Sequence, residues 1–176
     1  MYNKNKVYEY AQKWAYSRNP KYYNYDPVGG DCTNFASQCI FAGCDQMNYN
    51  RINGWYYING NDKSPSWTGV EFLYNFLITN NGAGPKGRKS EINNLDVWDI
   101  IQLSFNGVTY SHTLVVINPG RTIEDTLIAA HTFDTFGKGV SEYSFDLYRC
   151  VHIVWIKYNY ASYNYNMRCF LYDSIT

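Results

Sequence analysis

The sequence lacks an excess of charge of either sign, since its 176 residues contain 15 Lys and Arg against 15 Asp and Glu. A protein that holds a polyphosphate backbone needs a basic surface, so nucleic-acid binding is not expected. The first 18 residues include Lys4, Lys6, Glu9, Lys13 and Arg18 and have no continuous apolar run. Neither a signal peptide nor a membrane span is therefore predicted.

The cysteines lack the number and spacing of a disulfide scaffold or a zinc module. There are five of them, so at least one thiol is free, and a reduced state is favoured although one pair can still form. Cys39 and Cys44 have four residues between them, and Cys150 and His152 have one, which does not match the paired ligands of structural zinc sites. No metal or cofactor is predicted. The cysteines are Cys32, Cys39, Cys44, Cys150 and Cys169.

No repeat and no linker rich in Pro, Gly or Ser divides the chain, so we expect a single domain over residues 1–176, and a monomer. Apolar spacing predicts helices near 5–17, 32–42 and 68–79, with Asp31 as an N-cap, Gly43 as a stop and Thr68–Glu71 as a capping box. The connection 80–89 is read as a loop. Helices followed by strands predict an α+β fold with an antiparallel sheet of about four to six strands. The predicted strands are Val97–Phe105, Tyr110–Ile117, Thr126–Thr132 and Val151–Lys157.

Cys32 stands at the predicted start of the second helix, directly after Gly29, Gly30 and Asp31. The free N–H groups and the dipole of a helix N-terminus favour a negative charge, so this position is expected to lower the thiol pKa. The same N–H groups can stabilise an oxyanion. Cys32 is therefore a candidate nucleophile, and a small buried core residue is the alternative.

A nucleophilic thiol needs a base, and the sequence has only three histidines. His112 begins one apolar strand and His131 ends the next, so pairing of the two strands as a hairpin would bring both histidines to one edge of the sheet. His152 alternates with apolar neighbours within its strand and is interpreted as structural. His112 is accordingly the candidate base.

Several blocks of this sequence resemble the bacterial family known as the putative amidase domain, a distant relation of the NlpC and CHAP cell-wall peptidases in the papain-like superfamily. The resemblance runs from about Tyr22 to Asp134. It departs from the family at Trp98, where a glycine commonly precedes the aspartate, and there we expect a changed turn and unchanged chemistry. The matching blocks are Gly30–Cys39, Gly54–Tyr56, Ser66–Trp67, Asp99–Gln102, Ser111–His112 and His131–Asp134.

The resemblance implies a papain-like, NlpC-like fold and an amidase or endopeptidase that needs no cofactor. Cys32 would be the nucleophile, His112 the general base, and His131 or alternatively Asp134 the residue that orients the imidazole. The substrate implied is a peptide, in particular bacterial cell-wall peptide. Without a leader the protein would act in the cytoplasm or reach the wall by another route. The candidate oxyanion or substrate-binding residues are Tyr22, Tyr25, Asp31, Trp55 and Trp67.

Two other functions are compatible with the same residues. An inactive binding module of the same fold would use its aromatic side chains to stack on peptide or sugar. An acyltransferase or thioesterase would use the same acyl-enzyme and differ only in the acceptor. The aromatic residues considered for binding are Tyr22, Tyr23, Tyr25, Trp55, Tyr56, Tyr57 and Trp67.

Overall fold

The computed structural model describes residues 3–157, in which all helices longer than one turn precede the six strands of the main sheet. The helices are α1 (Lys4–Trp14), α2 (Cys32–Cys44), α3 (Pro65–Thr68) and α4 (Val70–Thr79). A two-stranded hairpin of β1 (Tyr57–Asn59) and β2 (Asp62–Lys63) precedes α3. The remaining strands are β3 (Gly84–Ser90), β4 (Ile100–Ser104), β5 (His112–Asn118), β6 (Leu127–Ala130), β7 (Thr135–Gly139) and β8 (Leu147–Lys157). The α+β prediction is confirmed.

The helix predictions are confirmed in position but not at every end. α2 begins at Cys32, yet Gly43 does not stop it, because the helix continues to Cys44 and ends at Asp45 in a left-handed conformation (φ 50°). The predicted capping box at Thr68–Glu71 is wrong. Thr68 ends α3, which Pro65 opens as a first-turn proline, and Gly69 precedes α4 without a side-chain cap.

One antiparallel sheet contains six strands within the described residues, in the order β3-β8-β4-β5-β6-β7. The four predicted strands correspond to β4, β5, β6 and β8. The two that the sequence did not predict, β3 and β7, are the two edges of the sheet, and β3 lies in the segment read as a loop. Each edge strand pairs on one side only, so neither needs a regular apolar alternation.

The two faces of the sheet are covered by different groups of residues. Ile100, Val115 and Ala129 are cross-strand neighbours that pack with Phe35 of α2. Leu103 belongs to the core on the opposite face, and its cross-strand partner is His112. Because cross-strand partners point to the same face, His112 starts β5 on the face that does not carry α2.

The turn before β4 is made by Trp98, which has φ 84°. Glycine adopts this left-handed conformation freely, whereas another residue pays about 1–2 kcal/mol. The Trp98 N–H donates to the Val116 carbonyl at 2.7 Å, and the side chain is 3% exposed. The turn is therefore kept in a glycine-like geometry by its hydrogen bond and by the burial of the indole.

Candidate active site

Cys32 is the first residue of α2, and its side chain is only 7% exposed. Its sulfur lies 3.8 Å from the Thr33 hydroxyl, and the backbone N–H groups of Thr113 and Thr33 also interact with it. Burial nevertheless raises the pKa of the Cys32 thiol, and these donors offset the rise only in part. The expected lowering of the thiol pKa is therefore wrong for the resting protein, because desolvation outweighs the helix N-terminus.

The place of the Cys32 sulfur follows from the end of β6. Val115 pairs with Ala129, so continued pairing would set Thr113 opposite residue 131, but β6 ends at Ala130. The N–H of Thr113 therefore has no partner in β6 and interacts with the Cys32 sulfur instead. The hydroxyls of Thr33 and Thr113 lie 2.9 Å apart. The first turn of α2 is thus joined to the first residues of β5.

The polar residues that follow Cys32 in α2 hold the helix in the core. Asn34, Ser37 and Gln38 are all buried and each accepts from a large aromatic side chain. The bonds run from Trp67 Nε1 to Asn34 Oδ1 (2.9 Å), from Trp55 Nε1 to Ser37 Oγ (3.0 Å) and from the Tyr10 hydroxyl to Gln38 Oε1 (2.6 Å). Trp55 and Trp67, both 0% exposed, are core residues and do not line a substrate groove as predicted.

Asp31 occupies the N-cap position of α2 without capping the helix through its side chain. Its Oδ1 accepts from the Tyr25 N–H (3.0 Å) and from Asn34 Nδ2 (2.8 Å), and its Oδ2 lies 2.6 Å from His131 Nδ1. The residue is 1% exposed. Asp31 therefore shapes the loop that leads into Cys32, and its carboxylate is not open to a substrate, contrary to the prediction.

His131 lies on the α2 face of the sheet and does not meet His112. Its Nε2 is 2.7 Å from the Trp14 carbonyl oxygen, which can only accept, so Nε2 carries a proton. Its ring stacks on Phe35 with centroids 4.0 Å apart. With both ring nitrogens engaged, the expected contact with His112 is not formed. β5 and β6 pair as predicted, but the side chains of His112 and His131 lie on opposite faces of the sheet.

Asp134, the alternative orienting residue, is also bound elsewhere. Both of its carboxylate oxygens accept from Arg18, at 3.0 Å from Nη1 and 2.8 Å from Nη2. Arg18 also donates to Asp26 at 2.8 Å. Asp134 therefore ties the turn after β6 to the loop after α1 and makes no contact with the His112 ring.

His112 is 3% exposed and lies among aromatic rings. Its ring centroid is 5.6 Å from that of Tyr143 and 6.2 Å from those of Phe105 and Phe133. Burial lowers the pKa of His112 to about 4, and the positive charge of Lys138 contributes to the shift. The imidazole is therefore neutral at pH 7 and able to accept a proton.

Tyr143 is the residue at this site that sequence reasoning missed. It follows a 3-10 turn at Val140–Glu142, is 9% exposed and has its ring beside His112. Burial is the main cause that raises the pKa of Tyr143 to about 12, and the Cys32 sulfur is the second. It is one of 19 tyrosines, and no local motif separates it from the others.

The two tyrosines predicted to serve the oxyanion contact residues other than Cys32. The Tyr25 hydroxyl donates to the Gly60 carbonyl at 3.2 Å. Tyr22 stacks on Trp67 with centroids 5.8 Å apart. Burial raises the pKa of Tyr22 to about 12, and the nearby Tyr57, Cys39 and Cys44 contribute smaller increases. The Tyr25 hydroxyl is therefore already bound to a carbonyl, and the Tyr22 ring packs against the aromatic core.

Residues 3–157 contain no group of three or more His, Cys, Asp or Glu side chains suited to a metal ion. Cys32, Cys39, Cys44 and Cys150 are free thiols, and Cys169 lies outside the described residues. His152 is paired with Asp99 (Nδ1 to Oδ2, 2.7 Å). Over the same residues, none of the helices has the length and apolar character needed to cross a membrane.

Comparison with known proteins gives a family and one relative. A family model described as "Putative amidase domain" matches residues 1–163. The Bacillus subtilis (strain 168) protein described as "Uncharacterized protein YhbB" is 33% identical over 131 residues, which make up 72% of this chain and 40% of that protein. The chain thus spans well under half of that relative. No solved structure matches the chain.

Proposed function

Because this chain belongs to the putative amidase domain family, we propose that it is a cysteine-dependent amide hydrolase with Cys32 as nucleophile and His112 as general base. Family membership indicates an amidase-type hydrolase. The identity of the nucleophile and the base, and a papain-like descent, are the finer parts of the proposal. His131 and Asp134 have no part in it, since both are bound elsewhere.

The observation that carries the proposal is a pair of buried polar atoms without partners. Within residues 3–157, three buried side-chain atoms lack a hydrogen bond: Trp98 Nε1, His112 Nε2 and the Tyr143 hydroxyl. Buried polar groups are nearly always satisfied, because leaving one unpaired costs about 1–3 kcal/mol. Two of the three, His112 Nε2 and the Tyr143 hydroxyl, belong to rings whose centroids are 5.6 Å apart, and the Cys32 sulfur acts on the pKa of Tyr143. This grouping favours a site whose missing partner is the substrate.

In the proposed reaction the neutral His112 takes the proton of the Cys32 thiol as the sulfur attacks the amide carbonyl. The carbonyl electrons move to oxygen and form a tetrahedral oxyanion. When the C–N bond breaks, His112 returns the proton to the leaving nitrogen. Water, deprotonated by His112, then releases the acyl group and restores the thiol. The raised thiol pKa and the lowered imidazole pKa support a neutral resting pair in this scheme.

The proposed substrate is a peptide amide, in particular one from bacterial cell wall. Phe105 and Phe133 flank His112 and are 44% and 71% exposed, so an apolar surface is available beside the base. The alternative of an aromatic binding module is not favoured. Four of the seven aromatic residues that it would use are buried: Trp55, Tyr56, Tyr57 and Trp67.

The proposal is tested by locating the acyl-enzyme. The protein is mixed with p-nitrophenyl acetate, quenched in acid and mapped by peptide mass spectrometry. We expect acetyl on Cys32 and not on Cys39, Cys44 or Cys150. Turnover of wall-derived peptides, with and without an added amine acceptor, then separates a hydrolase from an acyltransferase. Equal labelling of all four cysteines, or none on Cys32, would contradict the proposal.

The pH dependence of kcat/KM should have its acid limb near pH 4. Below this pKa His112 is protonated and cannot accept the thiol proton, so the rate should fall about tenfold per pH unit. Rates are measured on an amide substrate from pH 3 upward, corrected for the folded fraction by circular dichroism. Histidine NMR titration gives the pKa directly, with His112→Asn identifying the resonance. An acid limb near the unperturbed value of about 6.5 would refute the buried base.

A further inference from the structure

Tyr143 presents a buried hydroxyl to the proposed reaction centre. Its ring is 5.6 Å from the His112 ring, its side chain is 9% exposed, and its hydroxyl has no hydrogen-bond partner among the described residues. The Cys32 sulfur, which sits at the gap left by the end of β6, is near enough to contribute to the raised pKa of Tyr143. The hydroxyl is thus a buried donor without an acceptor among the described residues.

The position of Tyr143 is set by its backbone and its ring. Its N–H donates to the Val140 carbonyl at 3.1 Å, and the preceding turn is closed by the Gly139 N–H, which donates to Glu142 Oε1 at 2.8 Å. The Lys138 ammonium lies 4.0 Å from the ring centroid. None of these contacts uses the hydroxyl, so phenylalanine would fit here without an unpaired polar atom.

We propose that Tyr143 is a catalytic residue whose hydroxyl donates a hydrogen bond to the oxyanion formed when Cys32 attacks the substrate carbonyl. This inference rests on the proposed function. As the S–C bond forms, the carbonyl electrons move to oxygen and the thiol proton passes to His112. The Tyr143 proton stays on its own oxygen throughout, so the residue is unchanged at the end of each turnover.

The electrostatic surroundings suit a donor of this kind. With its pKa raised to about 12, Tyr143 keeps its proton throughout the neutral range. A donor already in place in a buried site acts strongly on the charge that develops in the transition state. Upstream of Cys32, the Tyr25 hydroxyl donates to the Gly60 carbonyl and the Tyr22 ring packs against the aromatic core. Tyr143 takes the role expected for one of them.

The test compares two reactions of the same sulfur in the full chain. Acetylation by p-nitrophenyl acetate passes through an oxyanion, whereas alkylation by iodoacetamide does not. Tyr143→Phe should lower the acetylation rate of Cys32 roughly 10²-fold, the usual loss for one oxyanion donor, and leave its alkylation rate unchanged from pH 6 to pH 10. Its melting temperature should equal or exceed that of the wild type.

Tyr10→Phe is the matched control, because the Tyr10 hydroxyl is hydrogen bonded to Gln38 between α1 and α2. It should lower the melting temperature and leave acetylation of the folded protein unchanged. Unchanged acetylation in Tyr143→Phe overturns the inference, as does an equal loss in both reactions, which would assign Tyr143 to the thiol. A wild-type Cys32 that is alkylated but never acetylated refutes the hydrolase itself, and the inference with it.

Discussion

Cys32→Ala should abolish amide hydrolysis, with a fall of roughly 10⁴–10⁶-fold, and leave the fold intact. In the proposed reaction the sulfur of Cys32 is the atom that forms the acyl-enzyme. The side chain is small and joins the protein through one weak contact with Thr33 and through backbone N–H groups, so its loss removes little packing. Initial rates on the peptide substrate and thermal melts are measured together.

Cys39→Ala is the matched control for this prediction. Cys39 lies on the same helix, is 0% exposed and packs only in the core, so removing its sulfur should cost roughly 1 kcal/mol or more of stability. The rate per folded molecule should not change. A fully active Cys32→Ala protein, or a folded but inactive Cys39→Ala protein, would contradict the assignment of the nucleophile.

Asp31→Ala should destabilise the protein by about 3–5 kcal/mol, a large part of the 5–15 kcal/mol typical of a domain. Asp31 and His131 are each 1% exposed and joined at 2.6 Å, so the substitution leaves a buried ring nitrogen without its hydrogen-bond partner. The N–H of Tyr25 and the amide of Asn34 lose the same carboxylate. Urea unfolding at pH 7 with an unchanged m-value measures the loss.

Asp134→Ala supplies the comparison, because it removes a bidentate pair with Arg18 that is partly open to water. Such pairs contribute at most about 1 kcal/mol. Neither variant should alter the pKa of His112, since neither carboxylate contacts that ring. If Asp134→Ala shifted the acid limb of the rate profile, Asp134 would be an orienting residue after all.

The part of the site that the sequence could predict depends on local structure. A glycine pair followed by an apolar helical face identifies a helix start at Cys32, because turn preference and periodicity act within a few residues. Asp31 holds the N-cap position without capping the helix through its side chain. The partners of that helix could not be read in the same way. Trp55 and Trp67 looked available for binding, but their N–H groups reach Ser37 and Asn34 across the core.

The strands show the same division. The inner strands of the sheet are rich in apolar or β-branched residues, because each of them pairs with a neighbouring strand along both edges. These strands are β4, β5, β6 and β8. The edges β3 and β7 have the sequences GPKGRKS and TFGKG, which lack that signal. A strand at an edge is specified by the neighbour with which it pairs, and this information lies elsewhere in the chain.

By itself the sequence determined the α+β class, the start of α2 at Cys32 and the position of His112 at the head of β5. Only the tertiary structure decided which side chains meet there. It set His112 and His131 on opposite faces, brought Tyr143 beside the base, and reversed the expected pKa shift of Cys32. The physical reason is that helix starts and strand patterns depend on neighbours in sequence, whereas burial, sheet face and cross-strand contact depend on residues far apart in the chain.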